Sequence, residues 1–361
     1  MKTALLHYWL TGMRGGEKVL RELAYLYPEA DIFTHACTRK IFDGCFGNCR
    51  IYETFISKLP GARRNCQKYL PLMPLALKQL DLSGYDLIIS SESGPAKGIA
   101  KPPHARHICY CHTPMRYLWD MYQDYYNHAG FAGKIAMRLF KKYLRNYDLK
   151  SAESVDYFIA NSSFVSERIK RIYQRDSTVI HPPVDVDFYR CSGGEKQDFY
   201  LVAGHLHPYK NPVIALEACR KLRRRCVVAG TGPLEKALRK EYAESNFTFS
   251  GRVSDEKLRE LYSSARALIF PGIEDFGIVP LEAQGAGTPV IALGIGGALE
   301  TVIEGRTGLF FDRSSADVLA DMILQFENLT FSPEVCRENA EKFSPEVFRR
   351  KFSSFAASCL K

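Results

Sequence analysis

Two carboxylates eight positions apart stand out in the run EDFGIVPLEAQGAGTPVIA, residues 274 to 292: Glu274 in an expected loop and Glu282 just inside a helix expected to begin near Pro280. A loop carboxylate can accept hydrogen bonds from sugar hydroxyls, and one in a first helical turn can hold a ribose diol with both oxygens. Between them, Pro280 fits a first-turn position, where its missing N–H is no loss. The amides around Gly277, Ile278 and Val279, after Phe276, then form a partly positive helix end that suits a phosphate. The chemistry is that of a clamp on a sugar diphosphate. Two plainer roles fit the same spacing: Glu282 complementing the helix dipole and Glu274 as a solvated loop residue.

Other residues could act on small polar ligands. TGMRGGEKVL places Gly15 and Gly16 before a helix, and glycine lets backbone amides approach an anion closely. The spacing is not G-x-G-x-x-G and no acid closes a second strand to hold an adenosine ribose, so a dinucleotide site is not expected. HICYCHTPMRYLWD ends a buried strand at His112, where a loop histidine can meet substrate. His205 and His207 form an H-x-H pair without a third ligand. Asp185 and Asp187 form a D-x-D at a domain end, where a structural turn is expected. No metal site is expected.

The segments EDFGIVPLEAQ, YCHTPMRYLWD and GGEKVL, in order over nearly the whole chain, resemble the retaining glycosyltransferases of family 4, particularly mannosyltransferase-like members of bacterial polysaccharide biosynthesis. The resemblance implies the GT-B architecture: two doubly wound Rossmann-like domains facing a central cleft, with a C-terminal helix crossing back to the first. It implies a nucleotide-sugar donor, GDP-mannose by preference and a UDP-sugar as the alternative, and a lipid-linked or growing glycan as acceptor. The catalytic set would be His112, Lys210 and Glu274, with no metal and no other cofactor. Lys210 in GHLHPYKN falls where the family sets a lysine against the donor phosphates. Gly15 and Gly16 would cover the diphosphate, and backbone around Arg252 and Val253 would read the base. His205 stands where many members carry arginine, and Asn211 where close relatives often have a second basic residue. Arg116, Tyr117 and Trp119 would shape the acceptor or sugar pocket, with Trp119 a core anchor in the other reading. A sugar-nucleotide-binding partner of a polysaccharide assembly is the non-catalytic alternative.

The elements that must position these residues follow from pattern. Short apolar runs alternate with helical stretches: TALLHYW, YDLIIS, HICYC and DYFIAN, then DFYLVAG, RCVVAG, FTFSG, ALIFP and PVIAL. A polar break at CSGGEK, Cys191 to Lys196, reads as a linker. It divides the chain into residues 1–193 for the acceptor, 194–343 for the nucleotide-sugar, and 344–361 as the returning helix. Ser344 and Pro345 sit at N-cap and N1 of that helix.

The chain has 361 residues, enough for two domains that each bury a core. Its 46% hydrophobic and 25% charged residues are ordinary globular composition. Eleven scattered cysteines without C-x-x-C spacing point to reduced thiols in a cytosolic protein. Cys45, Cys49, His35 and Cys37 lack a second pair at zinc spacing. The N-terminal run is too short to cross a membrane and reads as a first strand. The net charge of +9 is concentrated in residues 1–150, which hold 22 Lys and Arg against 12 Asp and Glu. No nucleic-acid signature accompanies it, so none is expected as a partner. Lys134, Arg138, Lys141, Lys142 and Arg145 fall on one helical face and Ala136, Leu139, Phe140, Tyr143 and Tyr147 opposite. The expectation is a helix packing its apolar stripe on the core, its basic face contacting an anionic membrane from the cytoplasmic side. KLPGARRNCQKYLPLMPLALK, Lys58 to Lys78, mixes cations and leucines and is a second place for a lipid-linked acceptor.

Overall fold

A computed structural model of the chain describes residues 1–190 and 196–360. Apart from Lys196, the expected linker lies outside the described residues. The chain forms two compact units, Met1–Pro183 with Phe348–Lys361, and Val184–Val347.

The first unit is built on a seven-stranded parallel sheet in the order β3-β2-β1-β4-β5-β6-β7. Its strands are β1 (Thr3–His7), β2 (Asp31–Thr34), β3 (Arg50–Glu53), β4 (Leu87–Glu92), β5 (Arg106–Cys111), β6 (Tyr157–Ala160) and β7 (Ser177–Val179). The second has a six-stranded parallel sheet in the order β10-β9-β8-β11-β12-β13. Its strands are β8 (Tyr200–Ala203), β9 (Cys226–Ala229), β10 (Phe247–Gly251), β11 (Ala267–Phe270), β12 (Val290–Leu293) and β13 (Gly308–Phe311). Both are doubly wound, as the alternation of runs implies. The order reverses beside β1 and beside β8, and in such sheets the crevice at the carboxyl ends of those strands is where ligands bind. The nine strands expected from apolar runs are present. β2, β3, β7 and β13 went unread; β3 and β7 are partly exposed edge strands, RIYE and STV, without an apolar run.

The terminal helix spans Pro345–Cys359, and the Ser344 hydroxyl accepts from the Val347 amide, as its expected capping role requires. Phe348, Phe352, Ala356 and Cys359 are buried in the core of the first unit beside Tyr110 and Ile159. Asp185 caps the helical turn Val186–Tyr189 by accepting from the Phe188 amide, which gives the D-x-D a structural task.

One expectation fails. In the long helix Phe131–Glu153 the buried residues are Leu144, Asp148, Ser151 and Ala152. Ala136, Leu139 and Tyr143, expected to pack on the core, are exposed, while Phe140 and Tyr147 are half-buried. The basic residues split as well. Lys141 lies 3.8 Å over the Tyr122 ring and Arg145 4.7 Å over Trp119, with Arg145 Nε donating to the Leu118 carbonyl at 2.7 Å. Arg138 and Lys142 point outward. The physical reason is Asp148: it is held by Lys97 Nζ at 2.5 Å, Trp119 Nε1 at 2.7 Å and Tyr173 Oη at 3.0 Å. A buried carboxylate with three donors outweighs an apolar stripe in setting how the helix is turned.

Candidate functional site

In the second unit, the loops after β8 and β11 converge. Lys210 closes a short 3-10 turn, Pro208–Lys210, and Glu274 lies in the loop that links β11 to the helix Ile278–Gly285. The Lys210 ammonium and the Glu274 carboxylate form an ion pair, each side chain about one-fifth exposed. The loops touch backbone to backbone: a Cβ on Gly272 would lie 2.8 Å from Lys210 Cα. Gly297 donates to the Glu274 carbonyl at 2.9 Å, and a Cβ there would stand 2.2 Å from the Phe276 backbone. Glu274 is therefore held by its main chain, and its side chain by Lys210. Gly204, His205, Lys210, Gly272 and Glu274 line a cavity of about 20 Å³. That is room for a single water molecule. A larger ligand must part the ion pair.

The helix begins at Ile278, two residues before the expected start, with Gly277 at φ +105 as its N-cap, a conformation that suits glycine. Gly277, Ile278 and Val279 thus stand at its N-terminal end as expected. Phe276 differs from a ligand-facing role: its ring is buried with Val186, Leu281 and Phe343. Glu282 is the fifth residue of the helix and is only 6% exposed. Tyr262 Oη donates to Glu282 Oε2 at 3.1 Å. Burial, then the nearby Glu282 carboxylate, pushes the Tyr262 and Tyr189 phenols well up. These tyrosines went unread in the sequence because they come from elsewhere in the chain. His205 is exposed, with its ring 6.1 Å from that of His207. Asn211 takes a left-handed conformation and donates to Ser314 Oγ at 3.2 Å. Arg252 and Val253 follow β10, the arginine exposed.

In the first unit, Gly15 and Gly16 open the helix Gly15–Leu26 rather than preceding it. Space dictates Gly16: a Cβ would lie 3.2 Å from Tyr8 Oη, 3.3 Å from His7 Cε1 and 3.4 Å from His112 Nε2. Glu17 is buried in the same turn and accepts from the Arg14 amide at 3.0 Å, so part of this helix end is already satisfied by an anion. His112 Nε2 bonds Ser91 Oγ at 2.9 Å, and burial, then His7, pushes its pKa down to about 3. It is a neutral hydrogen-bonding group at physiological pH. His7, at the end of β1, is 1% exposed, with Nε2 3.7 Å from Glu17 Oε1, and neither ring nitrogen has a hydrogen-bond partner among the described residues. The sequence reading passed over it, although it ends a buried strand as His112 does.

Arg116, Tyr117 and Trp119 share the turn after β5. Trp119 is anchored through Asp148, which favours its core-anchor role. The Tyr117 hydroxyl is buried without a hydrogen-bond partner among the described residues, and Arg116 Nη1 lies 3.9 Å from Met121 Sδ. Of the zinc candidates, His35 bonds the Thr54 hydroxyl at 3.0 Å and Cys49 faces the Tyr27 carbonyl.

Two doubly wound units, one with a cation, a carboxylate and a helix N-terminus in the loops after its central strands, place polar groups where sheets of this kind bind their ligands. Comparisons give the family. Residues 13–188 match the model of Glycosyltransferase Family 4 and residues 191–343 that of Glycosyl transferases group 1. The D-inositol 3-phosphate glycosyltransferase of Streptomyces avermitilis is 29% identical over 212 residues, 50% of this chain and 46% of that protein. The chain thus spans about half the length of such curated relatives. Anabaena Alr3699/HepE, solved in complex with UDP and glucose, superposes with a TM-score of 0.74 at 16% identity, covering 99% of this chain and 100% of that one. The lipopolysaccharide outer core galactosyltransferase WaaB, in its apo form, gives 0.69 at 17% identity, covering 99% of each chain. The chain belongs to the family 4 glycosyltransferases and has the GT-B fold.

Proposed function

We propose that the protein is a retaining hexosyltransferase that moves a sugar from a nucleoside diphosphate onto a lipid-linked or growing glycan. The observation that carries this reading is the Lys210–Glu274 pair at the ends of adjacent strands, beside the amides opening the helix Ile278–Gly285. Cleavage of a glycosyl–phosphate bond leaves positive charge at the anomeric carbon and negative charge on the diphosphate. Lys210 and the helix end favour the departing diphosphate, a contribution of the kind that is largest in enzyme catalysis. Incoming phosphate takes Lys210 from Glu274, and Glu274 then accepts hydrogen bonds from sugar hydroxyls and positions the sugar without attacking it. The departing phosphate takes the acceptor proton on the same face, so retention needs no protein base and no metal. Glu282, held by Tyr262, serves the ribose. In the first unit the groups around Gly16, namely His7, Tyr8 and His112, are hydrogen-bonding partners that suit sugar hydroxyls rather than phosphate.

The family resemblance favours GDP-mannose. The UDP bound to the Anabaena neighbour favours a second reading, a UDP-sugar donor, with the mechanism unchanged. Incubation with GDP-, UDP- and ADP-sugars, with and without chelator, tests both through slow nucleoside diphosphate release. We expect release from one donor class, insensitive to chelator and reduced about 10²- to 10³-fold in Lys210→Met. A glycosyl-enzyme trapped at Glu274 would overturn its positioning role. Tight binding without turnover against any acceptor would leave a sugar-nucleotide-binding partner of a larger assembly.

A further inference from the structure

The outward face of the helix Phe131–Glu153 is unlike an ordinary solvated surface. Phe131, Ile135, Leu139 and Tyr143 recur every fourth residue and so share one face. At roughly 1.5 Å of rise per residue they form one ridge about 18 Å long. They are 82%, 52%, 71% and 47% exposed. A row of four large apolar side chains on one helix face is a contiguous patch, and patches of that kind mark interaction sites. Exposed cations flank it: Arg138 and Lys142 on the helix, then Lys150 toward its end. Between Phe131 and Lys150 the only acid is Asp148, which is buried. The ridge continues into an open groove of about 560 Å³ whose walls include Leu75, Lys78, Tyr143, Leu149 and Lys150, with Leu75 itself half exposed and one exposed acid, Glu153, at the far end of the helix.

We infer that this face lies flat on an anionic lipid bilayer, the ridge seated among the acyl chains and Arg138, Lys142, Lys150 and Lys78 among the headgroup phosphates. Three considerations select that occupant. A second copy of the chain meeting ridge to ridge would set the same cations against each other. A nucleic acid would satisfy the cations and leave the ridge in water. An anionic bilayer takes both, and a helix with an apolar ridge and a basic flank binds in the interfacial plane. Among the described residues no helix is long and apolar enough to cross the membrane, so the contact is peripheral. The inner face of the same helix grips the turn bearing Arg116 to Trp119, through Arg145 on the Leu118 carbonyl and Asp148 on the Trp119 indole. Docking therefore holds that turn one helix diameter, ~10 Å, from the bilayer surface, within reach of the head of a lipid-linked acceptor. That last step rests on the proposed function; the docking surface does not.

Co-sedimentation of the full chain with vesicles of phosphatidylcholine alone, or with added phosphatidylglycerol, tests the inference. The wild type is expected to sediment with the anionic vesicles and not with the neutral ones. Lys142→Ala should weaken binding about fivefold, the worth of one cation near such a surface. Leu139→Glu should weaken it more than about tenfold even at low salt, since it removes a large apolar group and adds a like charge. Both positions are exposed, so the fold should survive, and thermal unfolding of each variant checks this. No binding to anionic vesicles overturns the inference, as does binding that Leu139→Glu leaves unchanged, which would reduce it to plain electrostatic adsorption. A dimer in sedimentation equilibrium that Leu139→Glu dissolves would assign the ridge to a second copy instead. Nucleoside diphosphate release measured without vesicles stays at the wild-type level in both variants. Its absence from the wild type would refute the proposed function while leaving the vesicle result standing.

Discussion

Acidification should destabilise the first unit through two buried histidines that are far from bulk water. His35 and His107 are 1% and 0% exposed, and burial pushes both pKa values down to about 3. Each uses one ring nitrogen: His35 Nδ1 bonds Thr54 Oγ1 at 3.0 Å and His107 Nε2 bonds Ser90 Oγ at 2.8 Å. The other nitrogens, His35 Nε2 and His107 Nδ1, have no partner among the described residues, so protonation would bury an N–H with nothing to receive it. Once unfolded, the same imidazoles protonate below about pH 6.5. The unfolded chain therefore binds more protons than the native one as pH falls from about 6.5 toward 3, and stability drops across that window. At pH 5.5 each histidine costs about 1.4 kcal/mol relative to pH 8 and the two about 3 kcal/mol together, a magnitude set by the unfolded pKa as long as the folded value stays well below 5.5. Urea unfolding of the wild type and of the double variant His35→Asn, His107→Gln, at pH 8 and 5.5, reads it. Asn replaces the bonding Nδ1 and Gln the bonding Nε2. Buried carboxylates such as Glu92 titrate alike in both proteins, so the difference isolates the imidazoles. Equal acid losses in the two proteins would refute the reasoning.

Two substitutions probe the site itself. Tyr262→Phe removes the hydroxyl that donates to the buried Glu282 carboxylate. It should cost about 1 to 3 kcal/mol in unfolding of the second unit, with weaker nucleotide binding by calorimetry. A stability loss with unchanged nucleotide affinity would confine Tyr262 to folding. Gly16→Ala gains about 0.5 to 1 kcal/mol of helix preference but crowds Tyr8, His7 and His112 by a few tenths of an ångström. The melting temperature should change little while donor turnover falls at least about tenfold, since small misplacements near reacting groups are costly. Undiminished turnover would remove that cradle from the catalytic machinery.

The fold was largely legible because both sheets are parallel and buried. Most inner strands are runs rich in apolar residues such as ALLH, ICYC or ALIF, and the sequence shows these directly. Of the four missed strands, β3 (RIYE) and β7 (STV) are sheet edges that mix polar and partly exposed residues and so lack an apolar run. Glu274 and the Gly277 turn could be singled out for a related reason, since a strand end followed by a glycine turn and a helix start is a local signal; Lys210 was singled out by the family resemblance instead.

What sequence could not supply was any property that depends on residues distant along the chain. The carboxylate of Glu282 is bound by Tyr262, 20 residues away, so that tyrosine had no local signature, and the cradle of Gly16 is closed by His112, far along the chain. Helical spacing showed that the segment Phe131–Glu153 is amphipathic but not which face is inward. That was decided by Asp148, whose partners Lys97, Trp119 and Tyr173 come from three other places in the chain. Satisfying that buried carboxylate fixes the rotation of the helix and leaves Ile135, Leu139 and Tyr143 in solvent. Local pattern determines which elements form, and the pairing of buried polar groups across the fold determines which surfaces they present.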